Sequence, residues 1–337
     1  MAELAIFGTD LFGEVIKPKA SGPVAERFTL PPFTLLDARS GEWQERKRAW
    51  LALGISSEEG RPSELLGKES KNSAYGKSSA GVDENGKLIY KESVGNTSVF
   101  DPVLCELAYR WFCGGGGQVV DPFAGGSVRG IVAGMLGRRY WGCDLRQEQI
   151  DANEQQAADI NPPVLPKWVC GDSMDTLADA PEADFVFSCP PYGDLEKYSD
   201  DPRDLSAMEW HTFVAAYKRI ILRAVGRMKP DTFACFVVGD FRDGRGFYRN
   251  FVSTTIEAFE ECGARLYNEA ILATAIGSAS MRVTKQFESG RKLAKTHQNV
   301  LVFCKGDWRK AADKCNAKVG AGETAVQGDM LLPANAK

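Results

Sequence analysis

Four short segments carry residue types and spacings that could do chemistry, and each directly follows an apolar run. The first is Asp121-Pro122-Phe123-Ala124-Gly125-Gly126, which opens into a helical pattern. Glycines there let the backbone approach a ligand, and the helix start offers free N–H groups. Such a turn suits a dinucleotide or a methyl donor, or is simply a tight turn. The fingerprint G-x-G-x-x-G is not matched, because Gly125 and Gly126 are adjacent and Gly130 falls inside the next helix. The second segment ends on Asp144, an acid placed to accept from the two hydroxyls of a ribose. The third is Gly171-Asp172, whose carboxylate could accept from an adenine amino group. Either acid alone is more often a helix cap; three such acids in sequence order say more than any one. The fourth is Ser188-Cys189-Pro190-Pro191-Tyr192-Gly193. A Pro-Pro pair continues neither a helix nor a strand ladder, so it fixes an extended turn. It leaves carbonyls unpaired beside a tyrosine ring. That arrangement could grip a planar base, ring against ring and carbonyl to exocyclic amine. A purely structural turn is the other reading.

The elements that must position these segments alternate. Asp101-Pro102 reads as an N-cap and first helical residue. Leu104, Leu107, Ala108 and Trp111 then follow at helical spacing. Strands are expected over Gln118–Asp121, Tyr140–Asp144, Lys167–Cys170, Asp184–Ser188 and Phe233–Val238, with two more near 266–273 and 299–304. Helices fall between them. The best periodic one covers 206–229, with Phe213, Tyr217, Ile220, Ile221, Ala224 and Met228 on one stripe. Strands alternating with helices predict an α/β fold with a doubly wound, mostly parallel, seven-stranded sheet. The last two strands lack a helix between them and predict an antiparallel hairpin at the sheet edge. In such sheets ligands bind at the carboxyl ends of the strands, where the four segments lie.

With this order on the page, the chain resembles the DNA amino-methyltransferases, which use S-adenosylmethionine (SAM) on adenine N6 or cytosine N4. The motif Asp121-PFAGG is similar to their SAM-pocket motif, and Ser188-CPPY to the motif that holds a flipped base. The resemblance covers about residues 95–305. The closing strands FACFVVGD and THQNVLVFCKGD look like those of phage-encoded modification methylases, some of which belong to restriction-modification systems. The implied fold is the Rossmann-like class I SAM-dependent methyltransferase fold. The resemblance implies that Asp121, Pro122, Phe123, Ala124, Gly125 and Gly126 line the SAM pocket. Asp144, followed by Leu145, would hold the ribose diol, and Asp172, followed by Ser173, the adenine. The stretch Asn96–Phe100, with Ser98 and Phe100, would reach the methionine carboxylate. Pro190, between Cys189 and Pro191, would accept from the target amine through its carbonyl, and Tyr192 would stack on the base. Adenine N6 is preferred slightly over cytosine N4.

One departure stands out. Cys189 occupies the position where the family has Asp, Asn or Ser, and a thiol is a weak acceptor. Cytosine carbon-5 methylation through a Cys189 thiolate is therefore an alternative. So are RNA guanine-N2 methylation and a non-catalytic SAM- or DNA-binding protein. Asp194 and Glu196, in the acidic turn after Tyr192, are the nearest substitutes for the missing acceptor. Residues 276–310 hold eight Lys/Arg against two acids. Arg282, Lys285, Arg291, Lys292 and Lys295, in a loop before the last strand, could contact phosphates or form a solvated loop. The stretch Trp43–Trp50, with Arg46, Lys47 and Arg48, could read DNA or pack as an amphipathic helix; packing is preferred.

The 337 residues carry a net charge of −4, which argues against coating nucleic acid by bulk charge but allows a local patch. No run of about 18 apolar residues exists, so no transmembrane helix is expected, and the acidic N-terminus does not read as a secretory signal. Nine cysteines without a C-x-x-C pair read as a reduced, cytoplasmic protein, in the bacterial host if phage-encoded. With only two histidines, far apart, no metal site is expected. The domain expectation is an accessory segment 1–50, a flexible linker 51–95, a catalytic domain 96–310 and a disordered tail 311–337. The partner implied is DNA, without a membrane; monomer or homodimer stays open.

Overall fold

The structure is a computed structural model. It describes residues 23–56, 77–82, 88–92, 100–193, 201–274 and 279–316. The strands are β1 (Leu35–Asp37), β2 (Lys77–Val82), β3 (Leu88–Glu92), β4 (Gln118–Asp121), β5 (Arg139–Asp144), β6 (Lys167–Cys170), β7 (Ala183–Ser188), β8 (Met228–Val238), β9 (Ala264–Ala273) and β10 (His297–Lys305). The helices are α1 (Pro23–Phe28), α2 (Gly41–Ala52), α3 (Pro102–Phe112), α4 (Val128–Met135), α5 (Gln147–Ile160), α6 (Ser173–Thr176), α7 (Trp210–Arg227), α8 (Phe251–Glu261), α9 (Ala279–Gly290) and α10 (Trp308–Asn316).

Eight strands form one sheet in the order β1-β9-β10-β8-β7-β4-β5-β6. All its pairings are parallel except those of β10, which runs antiparallel to both β8 and β9. Strands β4 and β7 lie in the middle, where both faces must be apolar. Val119, Val120, Phe185, Val186 and Phe187 are all buried accordingly. Alternate side chains feed two cores. Phe185 and Phe187 join Tyr109, Trp43 and Trp50 on one face. Val186 and Phe236 join Phe213, Tyr217, Phe251 and Phe259 on the other. The sheet is therefore doubly wound, as the alternation of elements predicts.

Helix α3 starts where its residues require. The Asp101 side chain accepts from Val103 N at 2.9 Å, and Pro102 occupies the first turn. Helix α7 buries Phe213, Tyr217, Ile220, Ile221 and Ala224 on one stripe.

The structure departs from the sequence expectation in five places. The sheet has eight strands rather than seven, because β1 pairs parallel to β9. The last two strands, β9 and β10, pair antiparallel as expected, but β1 covers β9, so the pair lies one strand in from the edge, with β10 between β8 and β9. The β10 run Asn299–Cys304 is buried throughout, whereas β9 is largely exposed in its middle, as suits a strand nearer the rim. The stretch expected as a basic loop contains helix α9. Residues 308–316 form α10 with Ala311 buried, so the order extends past the expected start of the tail. Within the segment expected as a linker, β2 and β3 pair antiparallel.

The N-terminal segment is built into the fold. Trp43 and Trp50 are buried. Arg46 donates to both Glu106 oxygens at 2.6 and 2.7 Å, and Trp50 Nε1 donates to the same carboxylate at 2.8 Å. The packing alternative for Trp43–Trp50 is the arrangement seen.

Candidate active site

At the carboxyl ends of β4, β5, β6 and β7 the structure holds a cavity of about 490 Å³. This lies within the range of small-ligand sites, roughly 300–1,000 Å³. Pro122, Phe123, Gly125 and Gly126 line it from the first segment, and Asp144 with Leu145 from the second. Asp172 and Ser173 line it from the third, and Cys189, Pro190, Pro191 and Tyr192 from the fourth. Phe100 also faces it. One cavity thus collects all four segments. Ser98, Asp194 and Glu196 lie outside the described residues.

Asp121 and Ala124 do not line the cavity; both are fully buried behind it. Asp121 is the hub that sets the loop. Its Oδ2 accepts from Arg129 Nε at 2.6 Å and from the Tyr140 hydroxyl at 2.7 Å. Its Oδ1 accepts from Ser188 Oγ at 2.5 Å and from Phe123 N at 3.1 Å. Both oxygens are taken twice, so its part is to position rather than to touch a ligand. Gly142 makes this possible, since a methyl group built on it would meet the Tyr140 hydroxyl at 2.7 Å. Arg129, which no sequence motif marks, also donates to the carbonyls of Phe123 and Ala124 at 2.5 and 2.9 Å. Its guanidinium lies 4.6 Å from the Phe100 ring centre.

Gly125 sits at φ +50°, and nothing lies within 4 Å of a methyl group built on it. The backbone is therefore open to a ligand at this point. Gly125 N donates to Asp144 Oδ2 at 3.1 Å, and Arg146 N donates to Oδ1 at 3.0 Å. Burial raises the Asp144 carboxyl above its ordinary value, against these two bonds that lower it. Asp172 caps α6 by accepting from Met174 N at 2.8 Å. The Ser173 hydroxyl donates to Pro122 O at 2.5 Å. Cys143 also lines the cavity, but burial pushes its thiol up to about 12; it is a neutral wall.

The wall around Tyr192 is aromatic. The Tyr192 hydroxyl accepts from Gln298 Nε2 at 2.7 Å. Its ring meets Phe241 and Phe251 edge-on, each at 6.1 Å. Trp210, Phe213 and Tyr217 continue this cluster.

Two lining residues come from helix α2, far from the four segments in sequence: Gln44 and Lys47. Lys47 Nζ donates to Asp101 Oδ2 at 3.0 Å. The Trp43–Trp50 stretch signals a helix, but only the packing of α2 on α3 brings Lys47 to the cavity. Arg203 and Asp204 line it from beyond the acidic turn.

Of the expected phosphate contacts whose side chains are described, Lys285, Arg291, Lys292 and Lys295, none lines the cavity. Arg282 lies on α9 with its side chain outside the described residues, and Lys285 and Arg291 are exposed. Lys295 comes nearest. A methyl group built on Gly239 would lie 3.4 Å from Lys295 Cε and 3.9 Å from the Tyr192 hydroxyl. Among the described residues no cluster of His, Cys, Asp and Glu could hold a metal, and no helix is long and apolar enough to cross a membrane. None of the nine cysteines forms a disulfide.

Seven strands running one way, with the antiparallel β10 inserted between β8 and β9, make a doubly wound, Rossmann-like α/β sheet, with the cavity at its carboxyl ends. No protein-family model matches the chain. No curated protein matches it either. Solved structures of similar shape include TrmN from Thermus thermophilus, 15% identical over 61% of this chain and 49% of that one, with a TM-score of 0.42. A candidate DNA modification methylase, also from Thermus thermophilus, is 20% identical over 41% of this chain and 51% of its own, with a TM-score of 0.31. Magnesium protoporphyrin IX methyltransferase from Synechocystis, with bound SAM, is 10% identical over 63% of this chain and 87% of its own, with a TM-score of 0.39. The matches to the first two span about half of those chains.

Proposed function

We propose that the chain is a SAM-dependent methyltransferase acting on an exocyclic amine of an extruded DNA base, adenine N6 before cytosine N4. The observation that carries the reading is the single cavity shared by the Pro122–Gly126 loop, Asp144 and Asp172 on one side and Cys189–Tyr192 on the other. A methyl donor and a planar acceptor need such adjoining compartments.

The residues present fit SAM. Asp144 offers a carboxylate to vicinal hydroxyls, the open backbone at Gly125 admits the methionine chain, and Lys47 offers an ammonium to its carboxylate. When bound, SAM supplies a methyl group on a positively charged sulfonium, a good leaving group. The chain's own part is placement. Asp121 holds the donor loop and, through Ser188, the start of the Cys189–Tyr192 turn in one frame. Tyr192, braced by Phe241, Phe251 and Gln298, presents its ring to the base. The Pro190 carbonyl accepts from the target amine and turns its lone pair towards the methyl group. The amine proton leaves to solvent after transfer.

The test is to incubate the protein with labelled SAM and unmodified DNA or RNA, digest the polymer and identify the methylated nucleoside by mass spectrometry. N6-methyladenine or N4-methylcytosine in DNA is expected. Label in RNA alone, or SAM binding without transfer to either polymer, overturns the reading.

A further inference from the structure

The loop between β8 and α8 is built as a rigid finger. Arg242 and Tyr248 form a backbone bridge, and Asp243 N donates to Phe247 O at 2.8 Å. The Asp243 carboxylate accepts from Arg245 N and Phe247 N, each at 3.0 Å. Gly246 takes φ +94° at the turn, and Arg242 donates to its carbonyl at 2.9 Å. The finger is mounted on the aromatic cluster through Phe241, which touches the Tyr192 ring edge-on.

Its tip holds large apolar side chains in solvent. Phe247 is 71% exposed and Tyr248 41%. Cations lie beside Tyr248 and the turn. The Arg242 guanidinium lies 4.0 Å from the Tyr248 ring centre, and Lys295 Nζ lies 6.0 Å from it. A methyl group built on Gly246 would lie 2.7 Å from Lys292 Nζ. Arg245 is almost wholly exposed and pairs with Asp243 at 3.2 Å. An exposed aromatic pair set among cations matches one partner chemistry, a stacked base flanked by phosphates.

We propose that the finger Phe241–Asn250, with Lys292 and Lys295, is the DNA-contacting surface of this site. Phe247 stacks on the bases next to the one extruded towards Tyr192, while Arg245, Lys292 and Lys295 take phosphates. This rests on the DNA reading given above. It also gives part of the basic stretch 276–310 its place: Lys292 and Lys295 act beside the finger, not inside the cavity.

The test uses the full chain, plasmid DNA and labelled SAM. Phe247→Ala is expected to lower methyl transfer at subsaturating DNA about ten-fold or more, with Phe247→Trp largely restoring it and SAM affinity by calorimetry unchanged. Arg245→Ala and Lys292→Ala are each expected to weaken DNA binding evenly across sequences and to reduce the salt slope by about one. Methylation of DNA by the natural chain, with all three alanine variants matching it, overturns the finger assignment alone. SAM binding with no DNA binding or methylation by the natural chain overturns the DNA reading and the finger with it.

Discussion

The Ser188 hydroxyl donates to Asp121 Oδ1 at 2.5 Å, joining the last residue of β7 to the last residue of β4. One carboxylate therefore registers the loop after β4 against the turn after β7. It also balances the buried Arg129 guanidinium.

Removing that carboxylate leaves a buried charge without its partner, which costs about 3–5 kcal/mol. Asp121→Ala is expected to lose that much in urea unfolding and to lose SAM binding with it. Ser188→Ala deletes one bond and is expected to cost about 1–3 kcal/mol. If Asp121→Ala unfolds at the natural midpoint and binds SAM normally, Asp121 is not the hub.

Asp144 predicts a pH dependence. Burial raises its pKa above the ordinary 3.8, so it takes up its proton at a higher pH than an exposed aspartate. Only the ionised form accepts from both ribose hydroxyls. SAM affinity is thus full above the raised pKa and falls as the pH drops through it. Asp144→Asn is expected to bind SAM about ten-fold more weakly or worse at neutral pH, with that acidic limb gone. Calorimetric titration between roughly pH 4 and 8, the range where carboxylates and histidines titrate, checks both.

Lys47 should matter for the donor and not for the base. A hydrogen bond to a charged group contributes about 1.5–3 kcal/mol, roughly 10- to 100-fold in affinity. Lys47→Met is expected to raise the SAM dissociation constant by that factor while the KM for DNA stays put. An unchanged SAM constant would remove Lys47 from the site.

Cys189 is a weak acceptor where a strong one would help the amine. Cys189→Asn is expected to raise turnover on the amine about two- to ten-fold. The nucleoside product decides the chemistry: 5-methylcytosine that vanishes in Cys189→Ala would show a thiolate attack on the ring.

Glu106 ties helix α2 to α3. Burial alone would raise its pKa, but the Arg46 hydrogen bond and charge outweigh that and hold it below 4.5. Its contribution to stability is therefore present above 4.5 and lost as the pH falls through the lower folded value. Glu106→Gln is expected to cost about 3–5 kcal/mol at neutral pH and to flatten the acid limb of a stability profile.

Much of this is legible in the residues. Apolar runs ending in Asp121, Asp144, Cys170 and Ser188 mark the strands, and the topology rule places their ends on one rim. The inner place of β10 does not follow as directly, although Val300–Cys304 is apolar enough to need cover on both faces. Asp121 reads as a ligand contact because sequence shows a carboxylate but not its four donors. Lys47 and Arg129 escape because their approach depends on tertiary packing. The finger at Arg242–Arg249 escapes because a short polar turn with two aromatics has no period.

Strand β1 has a consequence for how the molecule is made. Leu35 pairs with Ile271, across most of the chain. That contact cannot form until Ile271 has left the ribosome. Until β1 docks, β9 has no neighbour on its outer edge, an aggregation-prone state. Helix α2 is placed separately, by its packing on α3. Strand β1 therefore acts as a late-closing cover, and a chain lacking residues 35–37 should expose the β9 edge and self-associate, as read by light scattering.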